Sequence, residues 1–203
     1  MANTVPYEVL AAPFTLYAAV VGTAFPLVDA VPAAAWVKIG TSGPLNYDSD
    51  EGVVVEHRQN LNPWRSLGDA GSRKVFRVDE DVIIRITLVD VTLEHYKHAI
   101  NRNTVTDVAA GVGTAGYRKI GLSRGFTVDT MALLARADSS PYGANWKMQY
   151  EFPIAAQQGS PTVIYRKDRP AALALEWMGL VDPSQSAEEY FGRLVIQDNW
   201  ANS

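Results

Sequence analysis

Two histidines, His95 and His98, stand three residues apart beside Glu94, a spacing that on a helix could let both imidazoles meet one metal ion. Leu93, Tyr96, Ala99 and Ile100 compete for the buried face of the same helix, so at least one histidine is expected in solvent. No His-Glu-x-x-His arrangement and no carboxylate at helical spacing completes a ligand set, and His57 is distant. Gly111-Val112-Gly113-Thr114-Ala115-Gly116 has the glycine spacing of a dinucleotide loop. Such a loop needs a strand before it and a helix after it, and here the order of patterns is reversed, so a plain turn is expected. Asp48, Asp50 and Gly52 share residue types with calcium loops but lack the twelve-residue frame and its closing Glu, and an acidic turn is expected. Nucleophilic catalysis by a serine would need a histidine placed by tertiary structure, and nothing in the sequence suggests one. The chain therefore offers no convincing catalytic constellation, and neither enzyme activity, cofactor nor metal is expected.

Composition narrows the remaining classes. The 203 residues suffice for one domain with a sizeable core. Nine Tyr, six Phe and five Trp favour a β-rich fold. A net charge of −4 argues against a protein that grips nucleic-acid phosphates by releasing counterions. With no cysteine, disulfides and thiolate chemistry are excluded, which fits assembly in a reducing cytoplasm. Residues 9–28 carry no charge, yet Pro13, Gly22 and Pro26 interrupt them and no Lys or Arg precedes them, so neither a signal peptide nor a membrane span is expected.

Periodicity places the elements. Residues 1–35 read as an extended arm, with Tyr7, Leu10, Phe14 and Phe25 as apolar contacts and a short strand around Phe14 to Val21. Residues 36–182 form the domain. Within it, 59–73 read as a long polar loop with Pro63, Gly68 and Gly71. Lys74 to Leu88 alternates with period two: Phe76, Val78, Val82, Ile84, Ile86 and Leu88 are expected inside, and Arg77, Asp79, Asp81 and Arg85 outside. Glu80 has core parity, and a β-bulge there would turn it out. Residues 90–103 switch to helical period, with Asp90 or Thr92 as cap and Asn101 or Asn103 at the end. Asn145 to Ile154 alternates again, putting Trp146, Met148, Tyr150 and Phe152 inside and Lys147, Gln149 and Glu151 outside. Residues 183–203 read as a C-terminal segment. The expected class is mainly β, a two-sheet β-sandwich or half-open barrel with one flanking α-helix.

The run Leu16, Tyr17, Ala18, Val20, Gly22, Thr23, Ala24 and Pro26, followed by Trp36, Ile39 and Gly40, resembles the N-terminus of the major tail tube proteins of long-tailed bacteriophages. Asn46 to Val54 resembles the same family's approach to its next strand, and the likeness extends more loosely over most of the chain. The resemblance implies the tail tube fold and a structural virion protein. Its copies form hexameric rings that stack into a hollow tube for ejection of double-stranded DNA, with a siphovirus-like, non-contractile tail. Implied partners are further copies of the chain, the tape-measure protein, the tail terminator and distal tail or baseplate proteins. The implied location is the virion tail after assembly in the host cytoplasm, with no membrane. In such a tube Glu56, Arg77, Asp79, Asp81, Arg85, Lys147 and Glu151 would face the lumen, whose negative charge would keep DNA from sticking. The 59–73 loop, through Asn62, Trp64, Arg65, Leu67 and Asp69, would bridge adjacent rings. A type VI secretion-like tube or baseplate hub ring protein remains open as an alternative, as, more remotely, does a β-barrel ligand binder or enzyme.

Overall fold

A computed structural model describes residues 13–137 and 147–197. With 45% of residues in strands and 6% in helix, the fold is mainly β, arranged as two antiparallel sheets with one short helix. The main sheet contains β1 (Phe14–Ala19), β2 (Val37–Lys38), β3 (Val53–Trp64), β4 (Lys74–Leu88), β7 (Thr130–Ala137), β8 (Met148–Gln158), β9 (Val163–Ile164), β10 (Ala172–Gly179) and β11 (Arg193–Ile196). Its order is β2-β1-β7-β8-β10-β4-β3, with β11 added to β8 and β9 to β10. The second sheet is the hairpin of β5 (Val105–Val108) and β6 (Tyr117–Ile120).

One face of the main sheet carries the principal core. Leu16 on β1, Leu133 on β7, Phe152 on β8, Trp177 on β10, Ile84 and Ile86 on β4, and Val55 on β3 all join one cluster. Strands far apart in the sheet order share that cluster, so the sheet curls around it. Tyr47 ties the two ends together. It bridges to Leu88 at the end of β4, accepts a hydrogen bond from the Leu16 backbone NH at 3.0 Å, and donates to the Ile39 carbonyl at 2.6 Å. The opposite face of β1 and β7 supports a smaller cluster of Tyr17, Ala19, Trp36, Ala132 and Leu134, against which Phe25 packs. Buried on both faces, β7 reads Met131-Ala-Leu-Leu-Ala and shows no alternation.

Several expectations are corrected here. The short strand expected within the arm forms over Phe14–Ala19, but it lies inside the sheet, paired with β7 along its whole length. Apolar residues on both parities bury it from both sides. The helix expected over 90–103 shrinks to one α-turn, α1 (Leu93–Tyr96), and a 3-10 turn over Lys97–Ala99. Thr92 caps it by accepting from the His95 backbone NH at 3.3 Å. Asn101 and Arg102 then take left-handed backbone angles, φ 64° and 56°, which end the helical path. The 59–73 loop contracts to nine residues, Arg65 to Arg73, because β3 continues through Trp64. Pro63 is tolerated there since β3 is the sheet edge and the missing NH faces no partner strand. The C-terminal segment contributes β11 to the sheet, with Arg193 opposite Glu151.

Gly40 lies at a tight point, with φ +89°; a Cβ there would meet the Tyr47 ring at 3.0 Å and the Gly43 carbonyl at 3.2 Å. Gly40→Ala is expected to cost about 2 kcal/mol, from backbone strain and displacement of Tyr47. A lower urea midpoint with an unchanged slope would show it, and an unchanged midpoint would count against the role given to Tyr47.

Candidate functional site

The most distinctive surface is a two-stranded ribbon. β10 accompanies β4 only as far as Ile83, opposite Met178. Among the described residues, β4 has only β3 beside it from Val82 to Lys74, so the hairpin extends past the core by roughly 25 Å at about 3.3 Å per residue. Phe76 and Val78, expected inside by parity, are 55% and 57% exposed: the core ends at Val82, and the bulge at Val78 turns Phe76, opposite Asn62, onto the other face. Leu61, Trp64, Leu67 and Val75 are also exposed on this ribbon. Asn62 and Trp64 are strand residues; Arg65, Leu67 and Asp69 occupy the tip loop. Asp69 pairs with Arg73, and Arg65 donates to the Ser72 hydroxyl at 3.2 Å.

A bulge does occur on β4, two residues before Glu80. Asn60 pairs with Asp79 and Leu61 with Arg77, leaving Val78 as the extra residue. The consequence differs from the expectation. Glu80 stays on the core-side row and is exposed because no core lies under it. Arg77 is switched onto that same row, where it meets Glu80 at 2.9 Å. Arg77 therefore leaves the row of Asp79, Asp81 and Arg85.

That row forms the open polar face. Gln158 donates to Glu176 at 2.8 Å, Arg85 meets Glu56 at 2.6 Å and reaches Glu176 at 4.0 Å, and Arg58 meets Glu56 at 2.8 Å. Arg58 stands opposite Asp81, and Asn60 donates to Asp79 at 3.4 Å. The hydrogen bond from Arg58 holds the Glu56 carboxyl below its ordinary range, aided by the charge of Arg85. Glu56, Asp79, Asp81 and Glu176 outnumber Arg58 and Arg85, so the face keeps an acidic balance. The fold thus brings Glu56, Asp79, Asp81 and Arg85 together.

Lys147 and Glu151 do not join them. Glu151 lies on the same side of the sheet but is only 3% exposed, covered by residues 25–29 and by β11. It pairs with Arg193 at 2.6 Å. Lys147 donates to the Asp29 carbonyl at 3.2 Å. The alternation of β8 predicts one buried and one wet face, whereas both faces are covered, one by the main cluster and one by the 20–35 segment. That segment is tied down through its carbonyls. Arg136, 3% exposed, donates to those of Val28 and Ala30; Gln149 donates to Pro26 at 2.9 Å, and Trp36 Nε1 to Ala24 at 3.1 Å. Phe25 stacks on Trp36 at 5.0 Å and Phe14 lies 6.1 Å from Tyr150, so both serve contacts within the chain. Tyr7 and Leu10 lie outside the described residues. Sequence reading missed Arg136; its signal is a lone charge inside Met131–Ala137, at the parity of Leu134.

The histidines are both buried, against expectation: the segment is one α-turn followed by a 3-10 turn, so the faces of one continuous helix do not apply. His95 Nδ1 accepts from the Gly40 NH at 3.4 Å, leaving Nε2 toward Thr41 at 3.3 Å and Asp90 at 3.6 Å, so it clamps the 39–41 turn. His98 packs edge-on to Trp177 at 6.4 Å. Among the described residues no group of three or more His, Asp or Glu is placed to hold a metal ion. Gly111–Gly116 is the turn of the β5–β6 hairpin, with Gly111 bridged to Thr114. Asp48 accepts from the Asp50 NH at 2.9 Å, forming the acidic turn. No helix among the described residues is long and apolar enough to cross a membrane.

Burial pushes His98 down to about 3, with Lys97 and Arg102 adding to the effect. Below its ordinary value of about 6.5 the unfolded chain takes up a proton that the folded chain refuses. Stability is therefore full above that pH and falls by about 1.4 kcal/mol per unit as pH drops toward 3. His98→Phe is expected to shrink the loss of stability between pH 7 and pH 5 by about 2 kcal/mol in urea unfolding. An identical pH dependence in the variant would contradict this burial.

Comparison with protein-family models finds no match, and comparison with curated proteins finds no similar sequence.

Proposed function

We propose that this chain is the structural subunit of a long-tailed phage's tail tube, with no catalytic role. Copies associate into rings, hexameric as the resemblance implies, and the rings stack into a conduit for double-stranded DNA. The observation that carries this reading is the projecting ribbon, on which Leu61, Trp64, Leu67, Val75, Phe76 and Val78 are all at least 45% exposed. A ribbon of this kind costs solubility unless another surface covers it. The curled antiparallel sheet with a short helix at its flank also suits the half-open barrel or sandwich of that family. Tape-measure, terminator and distal tail proteins are the partners such a tube meets at its core and ends, and the virion tail is its place.

In this reading the acidic row of Glu56, Asp79 and Asp81 lines the channel and repels phosphate. Changing Asp79 and Asp81 together to Lys is expected to leave tube length unaltered and to slow DNA ejection. Ejection at the wild-type rate would remove the row from the lumen. The test of the proposal itself is sedimentation velocity across a wide concentration range. A 22.2 kDa monomer should give way to discrete rings and then to longer species.

A further inference from the structure

The ribbon tip carries an unusual combination. Trp64 stands directly across the ribbon from Lys74, and Arg65 follows it, so an exposed indole is flanked by two cations. Neither Arg65 nor Lys74 has a carboxylate partner among the described residues, whereas Arg73 is used by Asp69. At the other end of the same hairpin lies a groove of about 550 Å³. Phe14, Leu45, Tyr47 and Val53 line it, and Asp48 and Glu51 edge it, Glu51 accepting from the Thr87 hydroxyl at 2.9 Å; Asp50 stands between them in sequence, outside the lining. Leu45 is largely exposed. Among the described residues none of these three carboxylates has an ion pair, and no Lys or Arg lines the groove.

We propose that the ribbon tip of one copy docks in the groove of a second copy, Trp64 entering the apolar floor while Arg65 and Lys74 meet Asp48, Asp50 and Glu51. This rests on the self-assembly reading and names the surface that the ribbon meets. Charge complementarity chooses this occupant. Residues 1–12, which run into Pro13 at the groove, carry Glu8 and no Lys or Arg. The other basic turn, Arg166–Arg169, joins β9 to β10 and carries no Trp or Phe that could fill the apolar floor. Tip and groove are different patches, so the contact is head-to-tail and propagates or closes into a ring; it does not stop at a dimer. Two unpaired cations meeting unpaired carboxylates around a buried aromatic ring make an interface with a hot spot and a charge code.

The test is a charge swap in the full chain. One variant carries Arg65→Glu with Lys74→Glu. The other carries Asp50→Lys with Glu51→Lys, which leaves the Asp48 turn intact. Each alone is expected to weaken self-association on the order of 100-fold, since like charges are then opposed. An equimolar mixture should recover association, because each reversed surface then meets its complement. Recovery also shows that both variants are folded. Association at wild-type strength in either variant, or no recovery on mixing with both variants folded by circular dichroism, overturns the docking. Electron microscopy of the same samples judges the tube separately. Tubes from both reversed variants sink the docking and spare the tube reading. Swap-sensitive assembly into closed, non-tubular particles does the reverse.

Discussion

Excising Leu61 to Val78 and joining Asn60 to Asp79 through Asn-Gly should yield a folded monomer that forms no higher assembly at any concentration. Asn60 and Asp79 are register partners, so a two-residue type I′ turn closes the shortened hairpin without disturbing the pairing below it. All the removed residues except Ser66 are exposed, and the core begins only at Val82. Folding stability should therefore change by about 1 kcal/mol or less. Assembly should fall by far more, because Trp64, Leu67 and Phe76 leave together and buried aromatic anchors carry most of an interface's energy. Sedimentation velocity beside urea unfolding separates the two effects. Tubes or rings from the shortened chain would show that the ribbon is dispensable, and loss of folding would show that it is structural.

Arg136→Ala is expected to destabilise the chain by about 3 kcal/mol and to loosen residues 20–35. The guanidinium is buried on β7 and holds the carbonyls of Val28 and Ala30, while Leu27 and Val31 beside them are exposed and contribute little packing. Removing it leaves those acceptors without their charged donor and opens a space beside Gln149, whose Oε1 is already buried without a partner. Trp36 and Phe25 still anchor the start of the segment, so release should be local. Chymotrypsin should cut at Leu27 in the variant well before the wild type, at a urea concentration far below global unfolding. Equal cleavage rates would mean that the segment is held by something other than Arg136.

Period-two patterning told strand from loop well where a strand has a single covered face, as in Val82 to Leu88. It failed where coverage changes along one strand. Lys74 to Val82 alternates as if buried, yet the sheet gives it no neighbour beyond β3, and local sequence carries no mark of where a partner strand stops. It failed again where both faces are covered: Gln149 and Glu151 look wet by parity, but a strap 120 residues earlier in the chain lies over them. The ion-pair row was partly readable. Glu56, Asp79, Asp81 and Arg85 share a face because strand parity and antiparallel register place them there. Arg77 left it through a one-residue bulge at Val78, which nothing in the alternation signals. The helix is shorter than its period suggests because the path tightens to a 3-10 turn after Tyr96, although it ends as expected at Asn101, where the backbone takes the left-handed conformation. That conformation is held from afar, as the Asn101 side chain bonds the carbonyls of Arg124 and Thr127 and the NH of Asp129.

Self-assembly into a hollow tube would be seen by negative-stain electron microscopy of the purified full chain. Grids prepared from a concentration series should show rings with a central hole, lengthening into stacked tubes as concentration rises. A compact monomer at every concentration, or solid aggregates without a channel, would contradict the account.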